Sequence, residues 1–238
     1  MIGAPSSSET RVMPASAIVP AHARAVIFDA YGTLFDVHSA VGRHMAAVGP
    51  DAARLSETWR AKQLEYSWVL SLAGRYEPFW TLTERALDYA FARFPQIDRA
   101  IGQLLLDAYR SLDAYPDVAK TLQALKARGL RTGILSNGDP GMLNAAVGSA
   151  GLAGHLDAIL SVDAARVFKT SPRTYDLVLR SLPVVANEVV FVSSNRWDIA
   201  GAAAFGFIPV WVNRLGLPDE YVELPPSAVI ASLDELAR

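Results

Sequence analysis

Residues 25–35, Ala-Val-Ile-Phe-Asp-Ala-Tyr-Gly-Thr-Leu-Phe, leave the chain few folds to choose from. The apolar start lacks the period-two alternation of a half-solvated strand, so it reads as a strand buried on both faces of a parallel sheet. Asp29 then falls at the strand's carboxyl end, where open α/β sheets place their ligands. Gly32 permits a sharp turn or positive φ, and Thr33 follows with a hydroxyl that can reach back to Asp29. Asp29 is therefore the candidate reactive group.

The remaining chain supplies the sheet. From Asp36 to about Tyr115 the pattern is helical: Leu55, Trp59, Lys62, Tyr66 and Val69 share one helix face, and Leu82, Ala86, Leu87, Ala90, Phe91 and Phe94 share another. This segment follows directly on the first strand and turn, so it reads as an all-helical cap inserted over the sheet's carboxyl edge. From Pro116 strands and helices alternate. Pro116-Asp117 open a helix that Gly129 closes. Strands are expected over 130–135, 158–162, 189–192 and 208–212, helices over 142–150, 173–182 and 197–205, and a final strand and helix over 228–237. The fold class is α/β, a Rossmann-like, doubly wound parallel sheet with right-handed crossovers. The expected division is a flexible tail (1–22), a core (23–35 and 116–238) and a helical cap (36–115). Asp29, Ser136, Asn137, Ser193, Ser194 and Asn195 all follow apolar strands, which brings them to one sheet edge.

Composition bounds the chemistry. A hydrophobic content of 51% over 238 residues supports a full core. The net charge of −2 argues against nucleic acid or an anionic membrane as partner. With no cysteine, disulfides, thiolate nucleophiles and thiolate metal sites are excluded. The uncharged stretch from Ile199 to Val212 is too short to cross a bilayer, and residues 1–22 lack an apolar h-region. A cytoplasmic location is expected.

Four short motifs in order, Asp29-x-Tyr31-Gly32-Thr33, Ser136-Asn137-Gly138, Lys169, and Ser193-Ser194-Asn195-x-Trp197-Asp198, resemble those of the haloacid dehalogenase superfamily. Over residues 24–215 the chain is most similar to the L-2-haloacid dehalogenases. Phosphatases of that superfamily carry a second Asp two residues after the nucleophile to protonate an alkoxide; here Tyr31 stands there. A departing halide needs no proton. Metal-dependent members place a carboxylate early in the fourth motif, where this chain has Ser194 and Asn195, and hard cations want anionic oxygens. No metal and no cofactor are expected.

The resemblance implies hydrolytic dehalogenation of short (S)-2-haloalkanoic acids to (R)-2-hydroxyalkanoic acids. Asp29 would attack C2 with inversion, and water would then hydrolyse the aspartyl ester. Among other nucleophiles there is no G-x-S-x-G elbow and no cysteine. By the same resemblance Lys169 orients Asp29, Thr33 holds it, and Asp198 with Asn195 and Ser193 handles the water. Ser136, Asn137, Tyr31 and Tyr175 would bind the substrate carboxylate, and Arg60 with Asn137, Phe79 and Trp197 would receive the halide. A homodimer is also implied, with a small 2-haloacid and water as the other partners.

Plainer readings stand beside these. Alone, Asp29 suits a helix cap, Ser136 and Asn137 a turn, Lys169 or Arg60 a solvated surface, and Tyr175, Phe79 and Trp197 ordinary packing. The scattered His22, His38, His44 and His155 suggest no ligand set. The alternatives to a dehalogenase are a Mg-dependent phosphatase of the same superfamily and a non-catalytic binding protein on the same fold.

Overall fold

The computed structural model describes residues 18–237. At its centre is a parallel sheet of β1 (Ala25–Phe28), β2 (Arg131–Ser136), β3 (Ala158–Ser161), β4 (Val189–Ser193), β5 (Ile208–Val212) and β6 (Ala228–Ile230). Their spatial order is β3-β2-β1-β4-β5-β6. The chain runs outward from β1 through β2 to β3, then returns to lay β4 on β1's other side. That reversal opens a crevice at the carboxyl ends of β1 and β4, where a doubly wound sheet binds its ligand.

Every residue of β1 and of β4 is buried, which is why both read as apolar runs. Alternate residues serve opposite faces: Val26, Phe28, Val190 and Val192 join one core cluster, and Ala25, Ile27, Phe191, Tyr175 and Ile199 the other. In register, Phe28 pairs with Val192, and the Asp29 amide extends the ladder to the Val192 carbonyl at 2.9 Å. The Asp29 carboxyl thus starts level with the Ser193 to Asn195 turn.

Between β1 and β2 lie α1 (Ser39–Gly42), α2 (Met45–Val48), α3 (Ala52–Leu72), α4 (Phe79–Arg93) and α5 (Gly102–Arg110). The crossovers carry α6 (Val118–Ala127), α7 (Pro140–Ser149), α8 (Pro172–Ser181) and α9 (Arg196–Phe205). The α4 face appears as expected, extended by Phe79 and Thr83. The α3 face is rotated from expectation: Leu55, Ser56, Trp59, Gln63 and Ser67 are buried, while Val69 is 56% exposed. Gln63 tolerates burial because Thr83 satisfies it, its Nε2 donating to Thr83 Oγ1 at 2.9 Å. Lys62 turns outward to Glu65 and over the Tyr89 ring.

Asp117 stands at the opening of α6 as expected; its carboxylate does not cap that helix but takes Arg214, the Ser232 hydroxyl and the Leu233 amide. Of the tail expected over 1–22, residues 1–17 lie outside the described residues. Within residues 18–22 Val19 is buried in the core and the Ala23 amide closes a turn onto the Pro20 carbonyl, while Ala21 and His22 are exposed.

Candidate active site

The turn after β1 shapes the site first. Leu34 and Phe35 donate their amides to the Ala30 carbonyl, and Gly32, at φ +92°, makes the reversal that brings Thr33 back beneath Asp29. A Cβ at Gly32 would also lie 3.1 Å from Ser194 Oγ. Thr33 Oγ1 stands 3.2 Å from Asp29 Oδ2 and accepts the Ser194 amide at 2.8 Å. The β1 and β4 turns are thereby tied through one hydroxyl.

From β4's end Asn195 Nδ2 donates to Asp29 Oδ2 at 2.8 Å. Ser193 Oγ, 3.5 Å from that oxygen, accepts the Asn195 amide at 3.1 Å and so fixes its direction. Lys169, ahead of α8, buries its side chain completely. Its ammonium donates to Asp29 Oδ1 at 3.0 Å and to Asp198 Oδ2 at 2.7 Å, and its amide donates to Asn137 Oδ1 at 3.0 Å. Asp198, in the first turn of α9, is also fully buried, and its Oδ1 accepts the Tyr175 hydroxyl at 2.8 Å.

Burial governs the protonation of this cluster. It pushes the Asp198 carboxyl up to about 6; the Lys169 ammonium pulls back, and the Asp29 charge adds to the rise. For Lys169 burial favours losing the proton, but Asp198 and then Asp29 outweigh it, so the ammonium is held more firmly than usual. Burial, reinforced by the Asp198 charge, drives the Tyr175 hydroxyl well above its ordinary value, which keeps it a donor.

Around this cluster stand the remaining expected residues. Ser136, buried, accepts the Gly138 amide at 3.1 Å. The Tyr31 ring stacks on Tyr109, centroids 5.8 Å apart and planes 13° from parallel, and fills the space that a Cβ at Gly138 would need. Burial chiefly raises the Tyr31 hydroxyl and keeps it neutral. The Tyr31 carbonyl accepts Arg60 Nη2 and Asn195 Nδ2, each at 3.3 Å. Phe79 meets the edge of Phe168, the residue before Lys169, at 5.8 Å. Trp197 meets Trp68 edge to face at 5.5 Å, and both line a groove of about 680 Å³ with Leu72, Thr170, Gly201 and Tyr221.

One expectation is corrected by this geometry. Tyr175 does not face a substrate carboxylate: it lies in the core on the sheet's other face and its hydroxyl is bonded to Asp198. Of the residues expected at the halide, Arg60 donates to the Tyr31 carbonyl, Phe79 packs on Phe168 and Trp197 on Trp68. Tyr109, Gln63, Trp68 and Gly201 were not legible as site residues, because each acts through a partner distant in sequence.

A family model described as haloacid dehalogenase-like hydrolase matches residues 23–206. The chain is 49% identical over 216 residues to (S)-2-haloacid dehalogenase 1 of Pseudomonas sp. (strain CBS-3), covering 90% of this chain and 95% of that protein. It is 48% identical to (S)-2-haloacid dehalogenase 4A of Burkholderia cepacia, covering 90% and 93%. A solved structure of L-2-haloacid dehalogenase from Xanthobacter autotrophicus with chloropropionic acid covalently bound superposes with a TM-score of 0.84 at 40% identity, covering 91% of this chain and 97% of that one. With its motifs assembled at the switch point of this sheet, the chain belongs to the haloacid dehalogenase-like hydrolase family.

Proposed function

We propose that this protein hydrolyses short (S)-2-haloalkanoic acids to (R)-2-hydroxyalkanoic acids through an ester on Asp29. The observation that carries the reading is one carboxylate at the switch point, its two oxygens held apart by Lys169 and Asn195. A carboxylate so fixed presents an oriented lone pair rather than a rotating one.

In the first step an Asp29 oxygen attacks C2 opposite the halogen. The C–O bond forms as the carbon–halogen bond breaks, the halogen keeps the electron pair, and C2 inverts. Arg60, with Asn137, Phe79 and Trp197, stabilises the charge gathering on halogen. Ser136, Asn137 and the neutral Tyr31 hydroxyl bind the substrate carboxylate by charge-assisted hydrogen bonds. In the second step water attacks the ester carbonyl carbon of Asp29 while Asp198 takes its proton, with Asn195 and Ser193 directing the attack. The ester C–O bond then breaks, the alkoxide takes the remaining proton of the attacking water, and Asp29 is regenerated as the carboxylate. One proton per turnover reaches solvent, balancing the halide.

Residues 36–115 act in this reading as the cap, bringing Arg60 and Phe79 to the carboxyl edge of a core formed by 23–35 and 116–238. The neutral Ser194 and Asn195 beside Asp29 suit chemistry without a divalent cation. The working form is inferred to be a cytoplasmic homodimer, supported by exposed apolar residues such as Leu72 and Val222, and light scattering measures its mass.

The deciding experiment follows halide release from L-2-chloropropionate in EDTA, beside p-nitrophenyl phosphate with Mg²⁺, for the native protein and Asp29→Asn. Chloride released in EDTA by the native protein and abolished in the variant is the expected result. Turnover of the phosphate ester alone, dependent on Mg²⁺, would overturn the reading in favour of a phosphatase.

A further inference from the structure

We propose that Gly201 is a positioning residue for this reaction: the absent side chain at one point of α9 lets Tyr175 reach Asp198 and lets Thr170 pack beside it, seating Lys169. The inference rests on the roles just given to Asp198 and Lys169. A Cβ on Gly201 would overlap the Tyr175 hydroxyl and lie 2.8 Å from both Cβ and Cγ2 of Thr170. Gly201 sits inside α9, and its φ is not in the left-handed region, unlike that of Gly206 at the helix end (+98°). Its conformation therefore does not call for glycine, which is unfavourable within a helix; the space does.

The geometry links this gap to the chemistry. Asp198 precedes Gly201 by three residues, so both lie on one face of α9. The Tyr175 hydroxyl crosses the gap from α8 to donate to Asp198 Oδ1. Thr170 is covalently next to Lys169, whose ammonium bridges Asp29 and Asp198. A methyl group at position 201 would displace the Tyr175 donor and the lysine loop together. The groups facing Asp198 are Lys169 from the loop ahead of α8, Tyr175 from α8 and Asp29 from β1.

The test is kcat for L-2-chloropropionate at saturating substrate, from pH 5 to 9, in native protein, Gly201→Ala, Tyr175→Phe and the double variant, because Asp198 acts after the carbon–halogen bond has broken. Gly201→Ala is expected to lose about 100-fold, the scale of misplacing reacting groups by an ångström. Its acid limb should move to higher pH, because the lost hydroxyl had favoured ionised Asp198. Tyr175→Phe should move the limb the same way. The double variant should be no worse than Gly201→Ala, since the overlapped atom is gone. A Gly201→Ala protein with the native rate, or with a lower melting temperature but an unmoved limb, overturns the proposal. Where Gly201→Ala does not fold, an unmoved limb in Tyr175→Phe overturns it equally. A native profile flat between pH 5 and 7 overturns the reading of Asp198, and this proposal with it.

Discussion

Asp29 and Asp198 share one ammonium, and in the proposed reaction their different surroundings divide the work between them. Asp29 is aimed by Asn195 and Thr33 at the crevice, whereas Asp198 is enclosed by Lys169 and Tyr175 and has its carboxyl raised to about 6. A nucleophile needs exposure to carbon, and a base needs affinity for a proton. Ionised Asp198 predominates only above that value, so kcat, which contains the hydrolysis of the ester, is expected to fall as pH drops through about 6, and Asp198→Asn should remove this limb with most of the activity. The sign for stability runs the other way. A carboxyl raised in the fold binds its proton more tightly than in the unfolded chain, so acidification through this window does not unfold the protein by way of Asp198. Asp117 and Asp157 are lowered despite burial, by Arg214 and by the Thr132 amide with Lys126, so their stabilisation is present above about 3.8 and lost only below it. Circular dichroism unchanged while activity falls between pH 7 and 5 is the expected pairing; coincident loss would assign the limb to unfolding. Arg60 belongs to the same scale. Arg60→Ala should slow ester formation by about 100-fold or more, as loss of one donor to developing charge does elsewhere. Single-turnover kinetics should then show ester formation slowed more than ester hydrolysis; unchanged ester accumulation would remove Arg60 from the halide site.

Arg60 is aimed by its helix, and the aim depends on contacts among α3, α4 and α5. One turn beyond Arg60, Gln63 is wholly buried; its amide donates to Thr83 Oγ1, which donates to the Phe79 carbonyl, and its oxygen accepts the Tyr109 hydroxyl at 3.3 Å. Trp59 Nε1 adds a bond to the Thr83 carbonyl at 2.8 Å. Gln63→Leu keeps the volume but strips Tyr109 of its acceptor, at a cost of about 1–3 kcal/mol for an unsatisfied buried group. A melting temperature lower by several degrees, with weaker inhibition by added bromide, is expected; unaltered bromide inhibition would separate the network from Arg60. Here sequence and structure part company in an instructive way. Apolar spacing located α3 and α4, and the order of motifs located Asp29, Lys169 and Asp198, because buried strands and strand-end polar residues leave local marks. The rotation of α3 left no such mark: a buried Gln63 and an exposed Val69 make sense only once Thr83 and Tyr109 are placed beside them. Tyr175 misled for the same reason, since its spacing from Lys169 cannot tell which face of the sheet its hydroxyl serves.

Across the molecule, the helical segment and the sheet are joined by two chain crossings lying side by side. Phe35 bridges Ala114, the Asp36 amide donates to the Asp113 carbonyl, and the Tyr115 amide donates to the Leu34 carbonyl. Asp117 ends the second crossing, and Arg214, just past β5, clasps it with Nη1 at 2.7 Å and Nη2 at 3.0 Å. The same Nη2 lies 3.3 Å from the Thr33 carbonyl, and the guanidinium covers the Tyr115 ring. Asp117 further holds the Ser232 hydroxyl and the Leu233 amide, each at 2.9 Å, and so fastens the chain's last turn. One largely buried carboxylate thus connects the crossing, the turn bearing Thr33 and the C-terminal segment. None of this was visible in the sequence, where Asp117 read as a helix-opening acid and its partners lie about a hundred positions away. Removing the carboxylate leaves a part-buried arginine charged and unmatched, a loss of about 1–3 kcal/mol. Asp117→Ala is therefore expected to lower the urea midpoint strongly and, at urea concentrations where it remains folded, to depress kcat more than KM, because Thr33 loses its brace while the substrate contacts stay. Asp117→Asn, which keeps an acceptor, should recover part of both. If Asp117→Ala loses stability while its folded fraction turns over at the native kcat, the clasp serves the fold alone and the turn bearing Thr33 is held by β4.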